Sequence, residues 1–107
     1  MKQQTVQCCA IVDPTLGEED AEALADRFKA LADPHRVRIL NLLSRNEELC
    51  VCELTPSFDL SQPTMSHHLM VLRKAGLVDC EVRGRWAYYR VLPERLEELA
   101  GVLEVEK

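Results

Sequence analysis

One stretch limits the possible folds more than any other: SQPTMSHHLMVLRKAGLVDCEVRGRWAYYRV, residues 61–91 of a 107-residue chain. Its hydrophobic period changes once. Met65, Leu69 and Leu72 recur at helical spacing as far as Gly76, after which Val78, Cys80 and Val82 alternate as a strand. Arg83-Gly84-Arg85 turns the chain, and Trp86, Tyr88, Tyr89 and Val91 form a return strand. Ser61 suits a helix N-cap, Pro63 is tolerated in the first turn, and Gly76 suits the position just past the C-terminus. A helix delimited at both ends therefore leads directly into a β-hairpin.

The upstream sequence supplies more helices. Ala21, Leu24, Ala25, Phe28 and Leu31 share one face of a helix from Glu18 to Ala32, with Glu18, Glu19 and Asp20 placed well for its N-terminus. Asp33-Pro34 ends that helix and begins a second, carrying Val37, Ile39, Leu40, Leu42 and Leu43. A third, short helix is expected from about Cys50 to Ser57, with Val51, Leu54 and Phe58 inward and Asp59-Leu60 as the turn. Leu96, Leu99, Ala100 and Leu103 mark a last amphipathic helix from Pro93 to Leu103. The order predicts a mainly α fold with a β-hairpin wing, a winged helix-turn-helix, over residues 17–107. The outer helices carry apolar stripes with no obvious partner in so short a chain, so they are expected to pack across a two-fold axis in a homodimer. Residues 1–16 lack sustained periodicity and read as a flexible N-terminal arm carrying Cys8 and Cys9.

The formal net charge is −5, yet residues 61–92 hold Arg73, Lys74, Arg83, Arg85 and Arg90 against only Asp79 and Glu81. Local charge makes the electrostatic footprint of a nucleic-acid partner. Gln62, Thr64, Ser66, His67 and His68 fall in the first two turns after Ser61, where a recognition helix meets base edges. Adjacent histidines diverge on a helix, so one is expected to face DNA and the other to pack beside the core. Arg73, Lys74, Arg83 and Arg85 suit phosphates. No apolar run is long enough to cross a membrane, no signal peptide is evident, and a cytoplasmic location is expected. No nucleophile has a placed histidine base and there is no Gly-rich phosphate loop, so no enzyme activity is expected.

Cysteine carries the remaining chemistry. In a reducing compartment, thiols are better read as ligands or redox groups than as a disulfide framework. Cys50 and Cys52 are two positions apart, and on a regular helix such side chains diverge by about 200°. Binding one ion with both would then require local unwinding; the alternative is that Cys8 and Cys9 bind with one of the pair and pin the arm onto the reading head. Thiolates select thiophilic ions. Trivalent arsenic or antimony needs three sulfurs, whereas Cd(II), Pb(II) or zinc can take four. Cys80, between Val78 and Val82, reads as a structural residue of the strand.

Four segments then carry a specific resemblance: FKALADPHRVRILNLL, ELCVCEL, LSQPTMSHHLMVLRKAGLV and RGRWAYYRV. Their order and spacing resemble the ArsR/SmtB family of metal-sensing repressors over roughly residues 20–103. ELCVCEL is similar to that family's ELCVCDL metal box, with Glu53 in place of aspartate. The resemblance implies a dimeric repressor that binds a palindromic DNA operator in the apo form and releases it when a metal ion or metalloid binds. It points to As(III) or Sb(III) as inducer, on cysteines drawn from Cys8, Cys9, Cys50 and Cys52. Alternatives are a Cd(II)/Pb(II) sensor using four thiolates and a repressor responding to thiol oxidation. Some members use histidine and carboxylate ligands on the last helix; here that helix has Glu94, Glu97 and Glu98 but no histidine, so no site is expected there.

Overall fold

The computed structural model describes residues 15–105. Cys8, Cys9 and the arm assigned to residues 1–16 therefore lie almost wholly outside the described residues. Five helices and a small sheet follow one another as α1 (Glu18–Ala30), α2 (Pro34–Ser44), β1 (Leu49–Cys50), α3 (Val51–Ser57), α4 (Gln62–Lys74), β2 (Val78–Arg83), β3 (Trp86–Val91) and α5 (Pro93–Val102). This is the expected winged helix-turn-helix with one addition. β1 pairs antiparallel with β3, so the wing is the outer part of a three-stranded sheet ordered β1-β3-β2.

Local chemistry accounts for the boundaries. Asp33 caps α2, its carboxylate accepting from the backbone N–H groups of His35 and Arg36 at 2.8 and 3.2 Å. Ser61 caps α4 by accepting from the N–H of Thr64 at 3.3 Å. Between α3 and α4 the turn needs Asp59 at φ 54°, a left-handed conformation that short polar side chains tolerate. Helix α4 ends in a Schellman motif: Gly76 has φ 79°, its N–H donates to the Arg73 carbonyl at 2.9 Å, and the Leu77 N–H donates to the Leu72 carbonyl at 3.0 Å. Gly84 opens the two-residue loop between the paired Arg83 and Trp86 with φ 64°, where glycine is favoured.

One core joins these elements. Ile39 and Leu43 of α2, Leu54 of α3, Met65, Leu69 and Leu72 of α4, and Leu77 are wholly buried, and Val78 nearly so. Leu24 of α1 and Leu99 of α5 close the opposite side. Helices α1 and α5 are tied at the surface by Arg27 Nη1 to Glu98 Oε1 at 2.7 Å. Beside that pair a cleft of about 490 Å³ is lined in part by Leu16, Leu24 and Val102. Leu16 and Val102 at this cleft, and Leu103 just past α5, remain exposed.

Candidate nucleic-acid interface and thiol site

Helix α4 sorts its side chains by its 3.6-residue period. Met65, His68, Leu69 and Leu72 are buried, whereas Gln62, Thr64, Ser66, His67, Arg73 and Lys74 are exposed. Of the paired histidines His67 is exposed and His68 is buried, only 7% exposed, which removes His68 from the base-facing set. Its Nδ1 accepts from Arg36 Nη1 at 3.2 Å, and Arg36 Nε donates to the Ala30 carbonyl at 2.6 Å. His68 therefore fastens α4 to the junction of α1 and α2. Burial lowers its pKa below the ordinary imidazole value; Asp33 opposes that shift and Arg36 adds to it. Arg36 was not among the sequence candidates. An arginine at the start of an amphipathic helix gives no hint of a partner thirty-two residues away.

The wing supplies the second half of the interface. Arg85 at its tip is exposed, and no ion pair involving it occurs among the described residues. Arg83 is also exposed, but it is engaged. Its Nη1 and Nη2 donate to Glu48 Oε2 and Oε1 at 2.7 and 2.8 Å, and Nη2 also donates to Glu81 Oε1 at 2.9 Å. Its guanidinium lies 4.5 Å from the Tyr88 ring centroid. Glu48 foremost, and Glu81, raise the Arg83 pKa further, and Arg83 in turn holds both carboxylates below their usual range. The assignment of Arg83 to a phosphate is thus altered, because in this structure its donors face carboxylates.

The thiol pair is arranged differently from the sequence expectation. Cys50 is not the first helical residue of α3 but its N-cap, with extended backbone at φ −75°, ψ 146°. Its Sγ accepts from the Cys52 N–H at 3.2 Å, and Glu53 Oε1 accepts from the Cys50 N–H at 2.8 Å, completing a capping box. The roughly opposite directions expected on a helix apply only when both residues are helical. With Cys50 extended, the Cα atoms are 5.1 Å apart and the two sulfurs are joined as a disulfide. The expected unwinding of α3 is therefore unnecessary for both sulfurs to meet one ion after reduction. Cys50 is buried and Cys52 exposed.

Placement ties this pair to the reading surface. Cys50 is a residue of β1 and faces Tyr88 of β3 in register. Cys52 lines a cleft of about 320 Å³ together with Gln62 and Ser66 of α4 and Arg85 and Trp86 of the wing. Once reduced, the two adjacent thiolates would supply two of the three sulfurs that trivalent arsenic or antimony takes. Among the described residues, no group of three or more His, Cys, Asp or Glu is disposed to hold a metal. Cys80, half-buried on β2, is paired in register with Tyr89 and is free of any disulfide.

A DNA-reading helix beside a hairpin wing defines the class: a winged helix-turn-helix DNA-binding protein. Comparison with known proteins narrows it. A family model described as "Bacterial regulatory protein, arsR family" matches residues 33–79. A Methanocaldococcus jannaschii relative described as an HTH-type transcriptional regulator is 40% identical over 86 residues, spanning 80% of this chain and 97% of its own. An arsenic resistance transcriptional regulator of Pseudomonas putida is 52% identical over 67 residues, spanning 63% of this chain. The match takes in only 52%, about half, of that relative's length. A cadmium resistance transcriptional regulatory protein of Listeria innocua is 39% identical over 74 residues, 69% of this chain and 62% of its own.

Among solved structures, HlyU from Vibrio cholerae superposes with a TM-score of 0.71 at 31% identity, covering 80% of this chain and 94% of that one. A homodimeric winged helix-turn-helix domain from Mycobacterium bovis gives 0.69 at 28% identity, covering 82% and 84%. An arsenical resistance operon repressor of Bacillus subtilis is 40% identical over 80 residues, 75% of this chain and 73% of its own. The chain belongs to the arsR family of bacterial regulatory proteins, and is a DNA-binding transcriptional regulator rather than an enzyme.

Proposed function

We propose that this chain is a homodimeric, cytoplasmic repressor that holds a palindromic operator in its apo form and releases it when As(III) or Sb(III) binds cysteine thiolates. One observation carries the reading: Cys50 and Cys52 lie side by side where the β1–α3 junction meets the wing, and Cys52 lines a cleft with Gln62 and Ser66 of the reading helix. An ion held there acts within a few side chains of the DNA-reading surface. In the reduced pair, both thiols together with one from Cys8 or Cys9 displace the three hydroxyls of arsenous acid as three waters. Three As–S bonds form and three As–O bonds break, with no change of oxidation state. The ligand favours the conformation it binds best, and operator DNA must weaken inducer affinity by the same factor.

Residues 1–16 act here as the arm that brings the third sulfur, and residues 17–107 as the DNA-binding and dimerisation domain. Base edges are read by Gln62, Thr64, Ser66 and His67, with Ser61, Arg73, Lys74 and Arg85 at the backbone. The exposed Leu16, Val102 and Leu103 suit a two-fold contact through the terminal elements. A second reading, a Cd(II)/Pb(II) sensor on four thiolates, is favoured by the relative described as a cadmium regulator.

Operator release titrated with arsenite, antimonite, cadmium and lead, on fully reduced protein, tests both readings. X-ray absorption should count three sulfurs around bound arsenic; four around cadmium, with release by cadmium alone, would favour the second reading. Replacing Cys8 and Cys9 with serine should leave apo operator binding intact and abolish induction. Cys50→Ser keeps an N-cap oxygen for α3 while removing a sulfur, so it should fold and fail to respond. Release by peroxide but not by arsenite would replace metalloid sensing with thiol oxidation.

A further inference from the structure

The clamp on Arg83 bears directly on how a thiol-bound ion reaches the wing. Glu48 stands immediately before β1, two residues from Cys50. Its carboxylate grips Arg83 in a bidentate geometry, 2.7 and 2.8 Å, and lies 3.9 Å from Arg90. Arg90 is itself paired with Asp79 at 3.3 Å and Glu81 at 3.5 Å. The wing's two gripped arginines are thus faced by Glu48, Glu81 and Asp79, and only Glu48 comes from outside the hairpin. Between Glu48 and the thiol pair the chain is already fixed: Leu49 and Cys50 pair with Tyr89 and Tyr88 of β3.

We propose that Glu48 is a positioning residue that withholds Arg83 from DNA phosphate and couples the thiol pair to the wing. This rests on the repressor reading above. A fork-shaped guanidinium that donates both Nη groups to a carboxylate has few donors left for a phosphate oxygen. An ion held on Cys50 strengthens the hold that β1 already has on β3, and so shifts the existing clamp further toward the masked state. Release of β1 frees Arg83 to add one phosphate contact. The cost of opening the pair is modest, because it is partly exposed to solvent, so the clamp acts as a bias rather than a lock.

The test is a cycle of Glu48→Gln, Arg83→Gln and the double variant in the full-length reduced protein, with operator affinity followed against salt. Glu48→Gln should bind more tightly and steepen the slope of log K against log salt by about 0.9, the worth of one phosphate. In the Arg83→Gln background the same substitution should change nothing. An unchanged slope in Glu48→Gln, or an equal gain with Arg83 absent, overturns the proposal, the latter because it would mean simple loss of a repelling charge. With arsenite added, Glu48→Gln should bind the same arsenic per chain yet release operator over a smaller range of affinity; an undiminished range removes the coupling claim. If arsenite leaves wild-type operator binding untouched, the repressor reading fails, while the salt cycle, run without inducer, still decides whether Glu48 masks Arg83.

Discussion

Helix α4 and the wing reach the same face of the molecule, but they are held in contrasting ways. Helix α4 buries Met65, His68, Leu69 and Leu72, is capped by Ser61, and ends in a Schellman motif. In the wing, the strand β2 buries Val78 at its root and leaves Val82 69% exposed near its tip. Tyr89 still packs against the core midway along β3, but toward the tip the hairpin is secured by strand pairing and by the ion network of Glu48, Asp79, Glu81, Arg83 and Arg90. Apolar packing is not screened by salt, whereas exposed ion pairs are weakened by it. A rigid reader thus stands beside an adjustable one, and the thiol pair is stitched to the adjustable one through β1.

The contrast can be broken most forcefully in the core. Leu69→Ala removes a wholly buried side chain beneath the reading helix and should cost about 2–5 kcal/mol. The denaturation midpoint should fall steeply, and operator binding should fall with the folded fraction. A loss under about 1 kcal/mol would mean that the site collapses around the gap and that α4 is less firmly supported than its burial indicates.

That part of the molecule was also the most legible in the sequence. Ser61, Gly76 and the spacing of Met65, Leu69 and Leu72 delimit α4 because capping and periodicity act locally. The same holds for the hairpin, where alternation and the Gly84 turn suffice. The two-residue strand β1 escaped because it is too short to show a period and exists only by pairing with β3, nearly forty residues downstream. Without β1 the sequence reads Cys50 as helical and pointing away from Cys52, whereas in a strand-to-helix turn Cys50 meets it. The engagement of Arg83 was hidden for the same reason, since Glu48 and Arg83 are brought together by strand pairing. His68 and Arg36 likewise meet only through the packing of α2 on α4.

A pH scan tests the rigid side more gently. Burial holds His68 below the ordinary imidazole value of 6.5, so the fold favours its neutral form while the unfolded chain takes up a proton near that pH. The stability this provides is complete above about pH 6.5 and is lost progressively as pH falls through the window beneath it. Asp33, Arg36, His35 and His67 also act on this ring. Wild type should therefore lose stability as pH falls below about 6.5 more steeply than His68→Gln, in which the amide oxygen can still accept from Arg36. Superimposable profiles would assign the titration to another group and detach His68 from the anchoring of α4.

The smallest effect on stability sharpens the comparison from the wing side. Arg85 and Arg83 flank the same glycine, both exposed, yet only Arg83 is gripped by carboxylates. Arg85→Gln should leave the denaturation midpoint within about 0.5 kcal/mol of wild type, as expected for a surface change touching no network. Its operator affinity should nevertheless fall at every sequence tested, and the salt slope should flatten by about 0.9, because a free guanidinium at the wing tip neutralises a phosphate. Arg83→Gln should flatten the slope much less in the clamped protein, since its charge is already spent on Glu48 and Glu81. Equal flattening by the two substitutions would show that DNA strips Arg83 from its carboxylates without difficulty. The wing's ion network would then be incidental to its grip, and the contrast between the firmly packed helix and the electrostatically set wing would lose its functional meaning.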